Sequence, residues 1–337
     1  MSALHLACQN PNISLEIIQL LISNGIDINA KTDDNETALS IVINQNRKDL
    51  IQLLLMNDAN FFDLSEKELT NQFIQLFYQI YSINQDMNQL LNSNNNDNED
   101  NFSDLQIQSN DSSKFNIHKL ILLTRFDNNE LILQKFINIC FQKPKEDVEL
   151  ILNFLYTGFI DFNNFIQKLN EKKENTISNN NNHNINFKQK KENKLIELFK
   201  EIGIDSKLIE IKKGRKGIIK DLSKLYKNET TKDFKIIISN EKEIKVHKLI
   251  LIIRSELYKG MFLNVKDSSN QVHDYSEKSN ETIQQFIYFL YHDKFEKETK
   301  EFSNEIQKEF SDLKDYFQLN QNSIIDLILS NYFPNQN

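Results

Sequence analysis

Two cysteines, Cys8 and Cys140, and two histidines in repeated surroundings, His118 and His247, are the residues of this 337-residue chain best equipped for chemistry. A thiolate acts as nucleophile or metal ligand, and an imidazole as base or ligand, only where partners stand nearby. The cysteines lie far apart, and no second His, Cys or carboxylate recurs beside either histidine at metal-ligand spacing. A buried cysteine is usually no more than a small hydrophobe. No G-x-S-x-G elbow, P-loop or zincin helix occurs, and six glycines leave few tight loops that could cradle a phosphate. The sequence therefore predicts no catalytic residue, no cofactor site and no metal site, and both histidines are read as structural.

The elements that must position His247 lie within residues 233–262. Phe234 to Ile238 is β-rich, Ser239 to Lys242 is a polar turn, and Glu243 to Val246 alternates polar with apolar, which together predict a hairpin. The apolar run Leu249 to Ile253 comes next, and periodicity alone leaves it open between helix and strand. The ordered set Asp233-Phe234-x-Ile236, Val246-His247-Lys248-x-x-Leu251 and Arg254-Ser255-x-x-Tyr258-x-x-Met261-Phe262 resembles the opening of a BTB/POZ domain. That resemblance implies that His247-Lys248 starts one buried helix and Ser255-x-x-Tyr258 the next.

The same stretch recurs earlier in the chain. With His118 placed on His247, eight of 22 positions over 104–125 are identical, among them Asp104, His118, Lys119 and Arg125. Phe154-Leu155-Tyr156 then matches Phe289-Leu290-Tyr291, and Leu195-x-x-Leu198-Phe199 is similar to Leu313-x-x-Tyr316-Phe317. The first copy is degenerate, with no serine after Arg125 and an Asn-rich insertion near 171–194.

At the N-terminus, Ala3-Leu4-His5-Leu6-Ala7 is echoed by Ala38-Leu39-Ser40-Ile41-Val42, and the aliphatic runs after them, at Leu20 and Leu53, are 33 residues apart. This is similar to the ankyrin repeat. About two repeats are visible, His5 is replaced by Ser40, and the hairpin glycine is Asn35, whose side chain tolerates left-handed backbone. Ser65-x-x-Glu68 has the form of a capping box ahead of an apolar stripe at Phe73, Ile74, Phe77, Ile80 and Tyr81. That stripe is expected to cap the repeats or to pack on the next domain. Because the chain starts inside a repeat motif, a missing N-terminal portion is expected.

The expected fold class is mixed α and α+β: N-terminal ankyrin-like helical repeats followed by two BTB/POZ-like α+β domains. The expected divisions are 1–64 repeats, 65–91 a capping or connecting helix, 92–103 a disordered linker, 104–211 the degenerate BTB/POZ-like domain, 212–232 linker and helix, and 233–333 the second BTB/POZ domain. A formal charge of −8 argues against nucleic acid as a partner, and no apolar run approaches the roughly 18 residues of a membrane span. The cluster Lys212-Lys213-Gly214-Arg215-Lys216 reads as a solvated linker rather than a nuclear-localisation patch, and the expected location is intracellular, cytoplasmic rather than nuclear.

The resemblance implies partners and sites. Many BTB proteins are adaptors for cullin-3-type ubiquitin ligases through a hydrophobic-x-Glu motif, whose place here falls on Ile283, Gln284 and Gln285, with Tyr291 as anchor of the count. Neither copy keeps both the hydrophobic residue and the glutamate, so a scaffold that binds no cullin is the alternative. Ile219, Leu222, Leu225 and Tyr226 form a stripe where the family keeps its dimer helix. BTB–BTB pairing within or between chains, through this stripe and the one at 73–81, is expected. Lys31, Asp33, Asp34 and Asn35 at the ankyrin hairpin tip form the candidate partner face.

Overall fold

The computed structural model describes residues 1–65, 67–93, 102–173, 184–205, 207, 209, 212–239, 242–264, 273–275, 278–297, 303–317 and 319. In chain order, the first helices are α1 (Ala3–Gln9), α2 (Leu15–Ser23), α3 (Ala38–Asn44), α4 (Lys48–Met56), α5 (Asn71–Ile80) and α6 (Ser82–Ser93). Then come strands β1 (Leu105–Gln108) and β2 (Lys114–Ile117), and helices α7 (Lys119–Arg125), α8 (Glu130–Cys140), α9 (Lys145–Thr157), α10 (Phe162–Lys173), α11 (Asn184–Ile202) and α12 (Gly214–Lys227). The last part contains β3 (Phe234–Ser239), β4 (Lys242–Val246), α13 (Lys248–Arg254), α14 (Glu256–Asn264), β5 (His273–Asp274), α15 (Asn280–His292) and α16 (Asn304–Tyr316). The expected linker over 92–103 and the insertion near 171–194 fall largely, at 94–101 and 174–183, outside the described residues.

The chain forms two compact units, one of Met1–Tyr81 with Asp161–Asn184 and one of Ser82–Ile160 with Ile185–Asn337. In the first, each helix pair opens on a cap. Thr37 Oγ1 accepts the Ser40 amide (3.1 Å) and Ser40 Oγ accepts the Thr37 amide (2.9 Å). In the other repeat the Ser2 amide donates to His5 Nδ1 (3.1 Å), while His5 Nε2 lies 3.0 Å from the Ala30 carbonyl and so ties the helix to the hairpin beyond it. Ser40 is too short for that second contact, and Asn29 does the tying instead, its side chain accepting from the Asn60 amide at 2.7 Å. Between the repeats Lys31 and Thr37 form an isolated antiparallel bridge, and Asn35 turns the hairpin at φ 62°.

Two repeats leave an open apolar end. The stripe on α5 closes it: Phe73, Ile74, Phe77 and Ile80 are buried, and the Tyr81 hydroxyl donates to the Leu55 carbonyl at 3.0 Å. Helix α10 completes the closure from far along the chain. Phe165 packs on Phe61 and Phe77 with ring centroids 4.8 and 5.1 Å apart, and the Tyr78 hydroxyl donates to Asn170 (2.6 Å). The stripe at 73–81 thus serves the repeat unit, which corrects its assignment as a BTB pairing face. The segment 65–91, expected as one helix, is two, α5 and α6, interrupted at Tyr81. Ser65 and Glu68 do bond (2.6 Å) but close a turn, and the helix behind them starts from a Thr70 cap.

The second unit holds two hairpin-and-helix halves. In the first, β1 and β2 pair antiparallel with Leu105 opposite Ile117. In the second, β3 pairs antiparallel with β4, Phe234 opposite Val246, and parallel with β5. Each hairpin leads straight into a short buried helix, α7 or α13, so the run Leu249 to Ile253 is helical. Each half is also preceded by a helix. Helix α6 packs on α9 of its own half and on α13 of the other, and α12 packs on α15 of its own half and on α7 and α9 of the other.

Candidate functional site

The two histidines sit at matching strand–helix corners, and one tyrosine closes each. The His118 amide donates to the Tyr156 hydroxyl (2.9 Å), and the His247 amide to the Tyr291 hydroxyl (2.9 Å). Each hydroxyl also meets its histidine's Nδ1, at 3.0 and 2.8 Å. With the amide as donor to the tyrosine oxygen, the tyrosine O–H donates to Nδ1, which leaves the imidazole neutral with its proton on Nε2. In the second half that Nε2 lies 2.8 Å from Thr231 Oγ1. Burial pushes both histidines down to about 4, against weaker opposition from Asp104 and Asp233 respectively. Burial also pushes the Tyr156 and Tyr291 hydroxyls up, so neither ionises near neutrality.

Asp104 and Asp233 complete the corners. Each carboxylate accepts the first helical amide, Lys119 or Lys248, at 2.7 Å, while its own amide donates back to the strand at Ile117 or Val246 (3.2 Å). A carboxylate on the first turn of a helix satisfies an orphan donor and faces the positive end of the helix dipole. The spacing from aspartate to His-Lys is thus a folding device: strand start, hairpin and helix cap are fixed by one side chain.

The halves differ just after this device. Ser255 caps α14 from its side chain, accepting the Tyr258 amide (3.3 Å), and donates to the Phe317 carbonyl (2.6 Å). Where the first half lacks the serine, Asp127 and Asn128 take left-handed backbone and Asn129 caps α8, accepting from Leu131 and Ile132 at 3.1 and 3.2 Å. The degenerate stretch is a longer turn with a different cap.

Between the halves lies a set of buried charges centred on the equivalent arginines. Arg125, on α7, donates to Asp221 on α12 (2.6 Å) and to the Lys212 carbonyl (2.6 Å). Arg254, on α13, donates to Asp86 on α6 (2.7 Å) and to Asp293. The pairs are reciprocal: each half's arginine reaches the aspartate on the other half's leading helix. Lys212 binds Asp221 and Asp127 (2.6 and 2.9 Å), and Arg215 reaches Asp293 at 3.3 Å. Arg125, Arg254, Asp86, Asp221, Asp293, Lys212 and Arg215 are all buried. The basic cluster at 212–216 is therefore not the solvated linker its composition suggests, because two of its members meet carboxylates distant in sequence.

The expected cullin face is not at the surface. Ile283, Gln285 and Tyr291 are 1%, 2% and 1% exposed, so together they present nothing to a partner. Gln285 instead holds the chain after α15, its side-chain oxygen accepting from the Glu296 amide at 2.9 Å. On α12, Leu222 and Leu225 are buried, while Ile219 and Tyr226 are half-buried. Tyr226 packs within its own half, its ring centroid 5.2 Å from that of Tyr291 and 5.1 Å from that of His292. Lys31, Asp33, Asp34 and Asn35 are exposed at the hairpin tip, where Lys31 pairs with Asp63 at 3.2 Å. Sequence reasoning missed Asp86, Asp221 and the role of the two arginines. A signal was present: Asp86-Met87-x-x-Leu90-Leu91 and Asp221-Leu222-x-x-Leu225-Tyr226 share one pattern.

Among the described residues no group of three or more His, Cys, Asp or Glu is placed to hold a metal ion, and no described helix is long and apolar enough to cross a membrane. Both cysteines are buried and free, and burial pushes their thiols up to about 11 for Cys8 and about 12 for Cys140, far from a reactive thiolate.

Residues 222–323 match the family model described as BTB/POZ domain, and residues 1–63 match that described as Ankyrin repeats (3 copies). Within residues 1–63 the structure has two helix pairs, α1 with α2 and α3 with α4. The BTB/POZ match covers the second half of the second unit and does not extend to the first. No curated protein matches the chain. The chain thus carries one ankyrin-repeat region followed by one α+β BTB/POZ domain, an architecture of protein–protein interaction without catalytic motifs.

Proposed function

We propose that this chain is a non-catalytic interaction adaptor in which the half built on 82–160 and 185–209 is a second BTB/POZ-like unit paired with the matched one. The observation that carries this reading is the repeated corner: Asp, His-Lys, Arg and Tyr at corresponding places, with the same donors, acceptors and near-identical distances in both halves. The ankyrin hairpin tip, with Lys31, Asp33, Asp34 and Asn35 exposed, selects a partner protein, and the paired BTB-like module holds it in an assembly.

Such an adaptor could serve two classes of assembly. In one the chain is the substrate-recognition subunit of a cullin-3-type RING ligase. In the other it is a scaffold whose BTB-like units bind no cullin. Burial of Ile283, Gln285 and Tyr291 favours the scaffold, since a docking motif has to be presented at the surface. The test is co-purification of the full chain with the N-terminal domain of a cullin-3-type scaffold. The scaffold reading expects no retention at tens of micromolar. Retention that disappears on reversing an exposed charge or polar group of α9 or α15, such as Glu149→Lys or Gln284→Lys, would make the chain a ligase adaptor.

A further inference from the structure

In a module built from two copies of one unit, either each copy pairs with its sister in the same chain or the faces stay open to a second chain. Which of these holds is readable at one close approach. Gly158 ends α9 with left-handed backbone (φ 75°), and its carbonyl accepts the Gly214 amide at the start of α12 (2.8 Å). A Cβ at Gly158 would lie 2.5 Å from the Gly214 carbonyl oxygen, closer than two such atoms can approach. The equivalent position in the second half, two residues after its tyrosine, is Asp293, also left-handed (φ 51°). Asp293 has the Cβ that Gly158 lacks, and its carboxylate is already engaged by Arg254 and Arg215.

The N-terminal turn of α12 is therefore shaped for the first half and not for a copy of its own half. Its flanking residues divide accordingly, Lys212 turning to Asp127 and Asp221, and Arg215 to Asp293. Buried polar contacts of this kind select a partner by penalising wrong pairings more than by strengthening the right one.

We infer that the BTB-type pairing face is closed within the chain, first half on second half, and that the Gly158–Gly214 fit together with the reciprocal arginine pairs bars the second half from pairing with the second half of another chain. This rests on reading the first half as a second BTB-like unit. One chain then supplies a complete pair, and association between chains does not pass through this face.

The test uses an exposed contact across the halves. Lys224 on α12 and Asp127 after α7 lie 2.5 Å apart with side chains 47% and 42% exposed, within reach of a zero-length carbodiimide cross-link. Lys119 and Glu130, 2.9 Å apart inside the first half, give an internal control. The full chain is cross-linked, resolved on a denaturing gel, and its linked peptides are identified by mass spectrometry. The Asp127–Lys224 peptide is expected in the monomer band. Its confinement to a dimer band would overturn closure within the chain while leaving two paired units standing. Its absence from both bands, with the Lys119–Glu130 peptide present, would show the halves apart and overturn the pairing itself. In Gly158→Asp the Asp127–Lys224 link is expected to be lost with the control link retained, and its full persistence there would overturn the glycine fit.

Discussion

Arg125 and Arg254 occupy the same place in two copies of one structural device, yet their surroundings are balanced differently. Arg254 lies between two buried carboxylates, Asp86 and Asp293, which hold its guanidinium charged against the pull of burial. Arg125 has one buried carboxylate, Asp221, shared with Lys212, and its remaining bond is to a backbone carbonyl, so burial wins and its affinity for the proton falls. The cause is a single position: Asp293 in one half is Gly158 in the other. Close backbone approach at Gly158 left no room for a second carboxylate, and Lys212 and Asp127 make up the charge around Arg125. A duplicated frame thus tolerates divergence where the two copies meet, provided the buried charges still close.

The difference predicts unequal costs. Removing one member of a buried ion pair destabilises by about 3–5 kcal/mol. Arg254→Ala strips the guanidinium from two carboxylates, whereas Arg125→Ala leaves Asp221 with Lys212. Denaturant unfolding should therefore show both variants strongly destabilised and Arg254→Ala the worse. The reverse order would break the comparison.

The corners, by contrast, should behave alike. Each histidine is neutral when folded, at about 4, and titrates at its ordinary 6.5 when unfolded. A depressed histidine contributes stability that is full above 6.5 and is lost as the pH falls towards 4, at about 1.4 kcal/mol per unit for each group. Thermal midpoints measured between pH 7 and 4 should fall, and His118→Gln and His247→Gln should each flatten that fall by a similar amount. Tyr156→Phe and Tyr291→Phe leave a buried amide without its acceptor and should each cost about 1–3 kcal/mol, equal between the halves. Asp104→Ala and Asp233→Ala remove a helix cap and should each cost about 1 kcal/mol.

Much of this was legible in the chain. The corners could be read because Asp104, His118, Lys119 and Arg125 recur at Asp233, His247, Lys248 and Arg254 in fixed register. The left-handed turn at Asn35 could be expected from residue type alone. Helix α6 could not be read as a core element: it carries Ser82, Asn84, Asp86 and Asn88, polar residues that a solvent-facing segment would also carry, and their burial depends on contacts far along the chain. Asn84 donates to the Thr157 carbonyl (2.7 Å), and Asp86 meets Arg254 across half the chain. The return of α10 to cap the repeats was hidden for the same reason. The misplacement of the pairing stripe at 73–81 came from taking the most apolar helix for the interface, when the interface is the polar one.

If the two corners are one device within one cooperative unit, native-state hydrogen exchange should show it at the amides of His118 and His247. Both donate to a buried tyrosine hydroxyl, so both should exchange only through opening of the whole second unit, with the same protection and the same denaturant dependence. Exchange at His118 orders of magnitude faster than at His247, with the second half still protected, would contradict it.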